Sequence, residues 1–571
     1  MESRDQQFAR IYNDVHTYPY LRDVAAALGV SEKRVRNKAG ILRRKPGAPH
    51  LVSRAAIAMG QEEKPQEFKH TPLIEAVQYD VGDETRYFIL TAAQDGSVPH
   101  HDFLSNLEAY ATWLGNCEIV IAGFTYNKSL FEDHGKAAAY FDPRCIEHMR
   151  NKQLQLGDNL LFCGEMNTLP TAVNPLSGFE TYTRDKWGIF PHAKVQLTSV
   201  ATAKFAPTKI LMTTGAVTLP NYVQKKAGIK AGFHHVIGAV LVELLPTGEF
   251  FCRHLQADGL GEEEGGFFDL DRRVEQGRVT TGHRIEALTY GDIHHEKLDP
   301  VVAATTWDYD ADGAHYPNGR SLLDTLKPRY QFFHDLSDFA PRNHHNIKDH
   351  HFRFATHSHK TANVRGALAG CAYFLQETKR PWCKSVVVQS NHDNALVTWL
   401  KTADYKQDPE NAEFFLETEL SYHRQLASGV FNPPIFEQTL RAASQDISGV
   451  EFVDEDSSFM IVGDIECAMH GHLGANGAKG SPRQYTRMGS KSNTGHTHSA
   501  QIIDGAYVAG VSGKLDQGYN RGLSSWSHSH ILTYANGKRT ILTMMGDLWF
   551  APRLQNSEIS KSSRDKVSCV V

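Results

Sequence analysis

Leu288-Thr289-Tyr290-Gly291-Asp292-Ile293-His294 is an apolar run that ends in glycine, aspartate and histidine. Its β-branched and aromatic residues predict a short buried strand, and Gly291 predicts the turn that ends it. Side chains two positions apart in an extended segment point to the same side. The stretch therefore predicts a strand that presents Asp292 and His294 together at its carboxyl end.

Four further motifs between residues 330 and 498 carry the same kinds of side chain. Two directly follow apolar runs and a third follows one after a short stretch; because the carboxyl ends of strands converge in open α/β folds, we expect these side chains to meet. Carboxylate, imidazole and amide groups together suit Mn²⁺, Fe²⁺, Zn²⁺ or Ni²⁺ better than Ca²⁺. The motifs are His334-Asp335-Leu336-Ser337-Asp338, Ser390-Asn391-His392-Asp393, Met469-His470-Gly471-His472 and Gly495-His496-Thr497-His498.

The five motifs, in this order, resemble the calcineurin-like metallophosphoesterase superfamily over residues 284–510. The resemblance implies a β-sandwich flanked by helices and a site for two divalent cations. Mn²⁺ is favoured, with Mg²⁺, Fe²⁺, Zn²⁺ and Ni²⁺ as alternatives. The first cation would be held by Asp292, His294 and His498, the second by Asn391, His470 and His496, with Asp335 bridging the two.

The resemblance also implies roles beside the ligands. His392 matches the histidine that contacts the scissile phosphate, and Asp338 matches the carboxylate that orients it. The alternative for Asp338 is a carboxylate at a helix N-terminus. His472 is the alternative to His470 as ligand. The superfamily usually has glycine where this chain has His334 and Ser390, so the turns at both places are open to question.

The first 45 residues predict a small helical module. Ala25, Gly29 and Val35 have the spacing of a helix-turn-helix, in which a small residue, a turn and a packing residue recur. The second predicted helix is strongly basic, which favours contact with DNA phosphates; the alternative is a docking module whose charges are only solvated. The candidate DNA-binding residues are Lys33, Arg34, Arg36, Lys38, Arg43 and Arg44.

The 571-residue chain divides into five predicted parts. The fold class is α/β, and no internal repeat is apparent. The parts are the helix-turn-helix at 1–48, a linker at 49–70, an α/β middle domain of open role at 71–283, the catalytic domain at 284–552 and a flexible tail at 553–571.

Composition and charge limit the class of protein and the compartment in which it is expected. The net charge of −5 excludes a polybasic chain, and no apolar run reaches the roughly 18 residues of a membrane span. None of the eight cysteines pairs in a C-x-x-C motif, so a cysteine zinc site is disfavoured and a reducing compartment is expected. We expect a cytoplasmic protein without a membrane partner, located in the host cytoplasm if a phage encodes it. The sequence does not decide whether the chain forms homo-oligomers.

The leading functional hypothesis is a two-metal DNA nuclease, because a basic helical module precedes the phosphoesterase motifs. The arrangement also resembles the early DNA-transfer DNases of some tailed bacteriophages. One alternative is a phosphatase or nucleotide phosphodiesterase that acts on small molecules. Another is a DNA-binding or scaffold protein with a relic site. The residues leave exonuclease or endonuclease action open.

Overall fold

The computed structural model describes residues 2–45, 47–52, 54, 76–126, 141–343 and 349–551. The chain divides into two compact units, Met1–Ile74 and Glu75–Val571. The predicted tail at 553–571 and most of the predicted linker at 49–70 lie outside the described residues.

The described residues of the first unit form three helices, Arg4–Asn13, Leu21–Ala27 and Glu32–Leu42. The Ser31 hydroxyl accepts a hydrogen bond from the Arg34 backbone at the start of the third helix. Ala25 and Val35 are buried in the core of this unit, and Gly29 has a φ of +63° in the turn between the second and third helices. The helices predicted for residues 1–45 are confirmed.

Four sheets, formed by the described residues, are the framework of the second unit. In the order in which neighbours are hydrogen-bonded, the largest contains Val77–Tyr79, Gln153–Leu156, Leu160–Cys163, Trp187–Phe190, Lys209–Thr213, Leu197–Val200, Gln501–Ile503, Ala506–Val508, Lys491–Thr494, Ile465–Glu466 and Met460–Ile461. The six-stranded sheet contains Glu451–Val453, Lys384–Val388, Tyr330–Phe333, Ala287–Thr289, Ser529–Thr533 and Arg539–Thr543. The four-stranded sheet contains Phe250–Gln256, Gly238–Leu244, Arg86–Gln94 and Cys117–Phe124, and the three-stranded sheet contains Phe267–Asp269, Arg272–Glu275 and Arg278–Thr280.

The helices of the second unit cover the sheets. Some of them form an insertion after Lys384–Val388, the strand that precedes the third motif. Their bounds are His101–Leu114, Pro143–Ile146, Lys226–Phe233, Pro300–Trp307, Leu322–Leu326, His350–Ser358, Val364–Thr378, Ala395–Thr402, Ala412–Ala427, Ile435–Ala443 and Pro482–Tyr485. Short 3₁₀ turns lie at His295–Lys297, Ala340–Arg342, Tyr405–Gln407, Gln445–Ile447 and Ala475–Gly477. The mixed α/β class predicted for the chain is confirmed.

The sheets are packed face to face through shared apolar layers. Residues of the largest and the four-stranded sheets, with Ile531 and Ile541 of the six-stranded sheet, form one buried cluster. Phe332 and Val386 of the six-stranded sheet pack with Ile465 of the largest sheet in another. Apolar side chains from both sheets are removed from water and packed tightly at this interface. The ends of the strands are therefore held at fixed relative positions.

The second unit contains the same strand arrangement twice. In the first copy, Arg86–Gln94 is parallel to Cys117–Phe124 and antiparallel to Gly238–Leu244, which is antiparallel to Phe250–Gln256. In the second copy, Ala287–Thr289 is parallel to Tyr330–Phe333 and antiparallel to Ser529–Thr533, which is antiparallel to Arg539–Thr543. These sets of strands have equivalent topology and the same chain order.

The largest sheet is divided in the same way. Leu160–Cys163, Trp187–Phe190 and Lys209–Thr213 run parallel, and Leu197–Val200 closes them antiparallel. Ile465–Glu466, Lys491–Thr494 and Ala506–Val508 run parallel, and Gln501–Ile503 closes them antiparallel. The two closing strands pair antiparallel with each other and join the copies into one sheet.

This repetition corrects the expectation that the chain has no internal repeat. Short sequence matches accompany it: Tyr182-Thr183-Arg184 and Tyr485-Thr486-Arg487 precede equivalent strands, and Pro191-His192-Ala193-Lys194 and Gly495-His496-Thr497-His498 follow them. The predicted boundary at 283/284 lies between the copies, within one compact unit rather than between separate ones. Backbone pairing preserves the repeat, while the side chains at the strand ends have diverged.

Candidate metal centre

Three neighbouring parallel strands deliver the first three motifs. Ala287–Thr289, Tyr330–Phe333 and Lys384–Val388 pair in register, so their carboxyl ends lie side by side. Asp292 and Asp335 follow the first two of these strands closely, and both side chains are buried. The strand order thus brings carboxylates that are distant in sequence to one edge of the sheet.

Asp292, His294, Asp335 and His498 form the first group of converging ligand atoms. The Nε2 atoms of the two histidines lie 3.0 Å apart, and Nε2 of His498 lies 3.1 Å from Oδ2 of Asp292. One oxygen of Asp292 and Nδ1 of His498 are buried without a hydrogen-bond partner among the described residues. Acceptor atoms that face each other in this way fit a cation between them.

Asp335, His470 and His496 form the second group, which shares Asp335 with the first. Nε2 of His470 lies 3.3 Å from Oδ2 of Asp335 and 3.1 Å from Oδ1 of Asn391. Burial lowers the pKa of His496 to about 4, so this imidazole is neutral, the form that binds metals. The buried groups can therefore hold metal ions, and their residues fit such a cofactor.

Charge on the histidines reinforces the ionised state of the shared carboxylate. Burial raises the pKa of Asp335, but positive charge on His470 and His392 outweighs burial and holds the pKa well below its usual value. Burial likewise lowers the pKa of His470, but Asp335 and Asp292 reverse this and raise it to about 9. Carboxylate and imidazole thus stabilise each other's charged forms in the absence of metal.

The backbone is left-handed at four of these positions. The φ angles are +46° at His294, +43° at Asp335, +75° at His496 and +57° at His498. This conformation is uncommon outside glycine and costs about 1–3 kcal/mol per residue. Its recurrence at four residues of the two groups shows that the surrounding fold holds these side chains in a strained but defined arrangement.

The side chain of Asp338 lies closer to His294 than to His392. Oδ1 of Asp338 is 3.2 Å from Nδ1 of His294 and 3.8 Å from Nδ1 of His392, and Oδ2 is 2.8 Å from the Lys297 ammonium. Nδ1 of His392 lies 3.2 Å from the backbone carbonyl of Asp338 instead. The sequence predicted the carboxylate to orient His392, whereas its nearest imidazole is His294 and the backbone carbonyl contacts His392.

The structure distinguishes His470 from His472 and shows the environment of His334. His472 lies 3.0 Å from Glu455 and belongs to neither group, whereas His470 belongs to the second. His334 is fully buried; burial lowers its pKa to about 4, and its ring lies 5.6 Å from that of His470. Its bulk is accommodated without glycine because its backbone is not left-handed.

Ser390, the other residue at a usual glycine position, has a bonding role. Its hydroxyl donates to Oδ2 of Asp393 at 2.8 Å and accepts from the Asp393 backbone at 3.2 Å. Oδ1 of Asp393 accepts from the backbone N–H of Ser337 at 3.0 Å. The serine thereby helps to tie the Asn391 turn to the turn that follows Asp335.

Sequence reasoning missed Glu296 and Lys297, which shape the same turn. Glu296 accepts from the Ser337 hydroxyl at 3.0 Å and from the Asp338 backbone at 2.8 Å. Lys297 pairs with Asp338 and lies 4.8 Å from the ring centroid of Tyr519. Their position directly after His294 and His295 was the available signal, since neighbours of ligands often support them.

Basic residues of the first unit differ in their contacts. Lys38 pairs with Asp5 at 2.5 Å, Arg36 pairs with Glu32, and Arg43 donates to the Tyr12 hydroxyl. The other three predicted DNA-binding residues are exposed and form no ion pair with the residues that the structure describes. These are Lys33, Arg34 and Arg44.

Other polar sequences have structural roles. Asp95 accepts from Thr125, and Asp102 accepts from the Gly265 backbone. In the histidine-rich segment at 343–359, residues 344–348 lie outside the described part, while His350–Ser358 is a helix whose His357 approaches Glu410. Of these residues, the ones that the structure describes belong to neither of the two ligand groups.

In the part of the first copy that the structure describes, the ligands of the second copy are not repeated. Ala92 forms a parallel bridge to Ala216, as Asp292 does to Val511, and each partner follows an equivalent strand. Lys194 takes the position of His498 in the matching tetrapeptides. Within the described residues, all groups of potential metal ligands lie between residues 292 and 498.

Among the residues that the structure describes, every helix is too short or too polar to span a membrane.

Comparisons with known proteins identify a phage relative. No protein-family model matches the chain, and no solved structure matches it. Protein A1 of Escherichia phage T5 is 38% identical over 518 residues, covering 89% of this chain and 90% of that protein. The chain therefore belongs to the same family as Protein A1 of phage T5.

Proposed function

We propose that this chain is a metallophosphoesterase that hydrolyses DNA phosphodiesters with two divalent cations, Mn²⁺ being favoured. The observation that carries the proposal is that Asp335 belongs to both buried ligand groups. A carboxylate shared in this way suits a paired-cation site. Divalent cations in such a site supply Lewis-acid polarisation of a phosphoryl oxygen and an activated water nucleophile.

The residues of the site divide the remaining work. Asp292, His294 and His498 would hold one cation and Asn391, His470 and His496 the other. Asp338 would fix His294 through Nδ1, which leaves Nε2 of that ring for the cation. His392 would donate Nδ1–H to the Asp338 carbonyl and present Nε2 to the phosphate or the leaving oxygen.

The charge distribution favours a polyanionic substrate over a small ester. The loop at 473–490 contains Lys479, Arg483 and Arg487 and no acidic residue, and all three cations are exposed. It is attached to the site because Gly480 N–H donates to the His472 carbonyl at 2.8 Å. Exposed cations beside a phosphoesterase site would contact the phosphates of a polyanionic backbone. The first unit has exposed cations of its own, Lys33, Arg34 and Arg44. The phage relative fits a place of action in the host cytoplasm.

A nuclease assay tests the proposal directly. Purified protein would be incubated with Mn²⁺, Mg²⁺ or Zn²⁺ and supercoiled plasmid, linear duplex or a small chromogenic diester. Asp335→Asn should abolish metal-dependent cleavage, while Asp83→Asn, the same change at an exposed position, should leave it intact. Cleavage of the small diester alone would favour a small-molecule phosphodiesterase. Loss of linear but not circular DNA would indicate an exonuclease.

A further inference from the structure

An aromatic pair lies beside the first ligand group. The Trp526 ring meets the His498 ring edge-on, with centroids 4.3 Å apart, and the Tyr519 ring lies 5.8 Å from that of Trp526. Nε2 of His498 lies 3.1 Å from Asp292. We call Tyr519 and Trp526 the aromatic shelf; only one imidazole separates it from the ligand carboxylate.

The shelf also contacts Lys297, which pairs with Asp338. The Lys297 ammonium lies 4.8 Å from the Tyr519 ring centroid and 2.8 Å from Oδ2 of Asp338. Both shelf residues remain partly exposed, and the loop between them presents Arg521 and Leu523 to solvent, the latter 72% exposed. The aromatic shelf is therefore not fully buried in the hydrophobic core.

Residues of the first copy of the strand arrangement hold the shelf loop in place. Thr202 and Ser524 exchange two backbone hydrogen bonds of 2.9 Å, and the Thr208 hydroxyl donates to the Trp526 carbonyl at 3.1 Å. Lys204 pairs with Asp516 at 2.7 Å at the other end of the loop. Because these contacts fix both ends of the loop, the aromatic rings are positioned before any substrate arrives.

We infer that the aromatic shelf stacks a nucleobase next to the scissile phosphodiester. This rests on the proposed nuclease function and narrows it to strands whose bases are unstacked, as in single strands or frayed ends. A partly exposed aromatic face beside a phosphate-binding centre suits a base, because every base offers a π-face regardless of sequence. A small phosphate ester without a base would leave the shelf unused.

Abasic substrates provide the test. Steady-state cleavage with Mn²⁺ would be compared on a single-stranded thymidine dodecamer and on a dodecamer of tetrahydrofuran abasic phosphodiesters. The wild type should show a kcat/KM on the order of tenfold to a hundredfold higher for the thymidine strand. Trp526→Ala and Tyr519→Ala should reduce this ratio toward one, chiefly by raising KM for thymidine. Phe431→Ala, which removes an aromatic ring that is 88% exposed, should preserve the ratio.

The outcomes distinguish this inference from the function beneath it. If the wild type cleaves no DNA in any form, the proposed function fails. If it cleaves both dodecamers with equal kcat/KM, the nuclease stands and the base-stacking role is overturned. If Trp526→Ala lowers both rates equally and weakens Mn²⁺ binding, the tryptophan only supports His498, which also overturns the inference.

Discussion

The Nε2 atoms of His294 and His498 lie 3.0 Å apart, although 204 residues separate them in the chain. Two neutral imidazoles can share only one hydrogen bond. The Nε2 atom of His498 lies 3.1 Å from Oδ2 of Asp292 as well. A cation relieves this crowding of acceptors. The following predictions depend on that relationship and on the surrounding fold.

Metal should stabilise the folded protein. Mn²⁺ at a hundred times its dissociation constant should add about 2.7 kcal/mol per site to the free energy of unfolding. Thermal unfolding with Mn²⁺ and then excess EDTA measures this, and elemental analysis gives the stoichiometry. Asp335→Asn should lose most of the stabilisation because it weakens both ligand groups. A metal-dependent shift that the variant keeps in full would contradict the shared-carboxylate site.

Removal of the Asp338 carboxylate should weaken metal binding without removing a ligand. Asp338→Ala deprives His294 of its Nδ1 partner and leaves Lys297 unpaired, so Mn²⁺ affinity should fall roughly tenfold to a hundredfold. Asp338→Asn keeps an oxygen that can accept from His294 and should lose less. Calorimetric titration with Mn²⁺ compares the two. Equal affinities in wild type and Asp338→Ala would show that this carboxylate does not orient the histidine.

Gly495 should tolerate no side chain. A Cβ built there lies 2.1 Å from Oδ1 of Asp292 and 3.2 Å from Cβ of His334. Gly495→Ala should displace the Asp292 carboxylate and weaken Mn²⁺ binding by roughly tenfold or more. Gly449→Ala is the matched control, because a Cβ at that exposed position meets nothing within 4 Å. Unchanged metal affinity in the Gly495 variant would mean that Asp292 moves freely.

Buried neutral histidines should make stability depend on pH. Burial lowers the pKa of His254 from 6.5 to about 4. Between these values the unfolded chain binds a proton that the folded chain does not, so stability falls as pH falls from 6.5 to 4. His254→Gln should reduce this slope by up to about 1.4 kcal/mol per pH unit. Urea unfolding from pH 4.5 to 7 measures it; an unchanged slope would mean that His254 titrates alike in both states.

The exposed cations of the first unit should set the salt dependence of DNA binding. The triple change Lys33→Ala, Arg34→Ala and Arg44→Ala should flatten the plot of log affinity against log salt, by about 0.9 for each lost phosphate contact. The control is the same loss of charge at Lys225, Lys226 and Lys230, which are exposed in the second unit. Fluorescence anisotropy with duplex DNA from 50 to 300 mM salt, roughly the range in which such contacts respond, measures the slope. A slope unchanged from wild type would favour a docking module.

The sequence by itself predicted the strand ends and the side chains they carry. An apolar run followed by glycine, aspartate and histidine is a local pattern, and strand periodicity depends on neighbouring residues. The motifs that contain Asp292, Asp335 and His470 could therefore be recognised before the fold was known, and their resemblance to metallophosphoesterases implied the ligand roles. The helices of the first unit were readable too, because caps and turn glycines act within a few residues.

Only the tertiary structure revealed the repeat, the partner of Asp338 and the aromatic shelf. Leu197–Val200 and Gln501–Ile503 pair through backbone groups that all residues except proline share. The residue types in these strands therefore do not predict the pairing. Trp526 lies beside His498 because the backbone N–H of the next residue, Ser527, donates to the His498 carbonyl at 3.2 Å. Contacts between distant segments depend on packing of the whole core, which a local pattern in the chain does not encode.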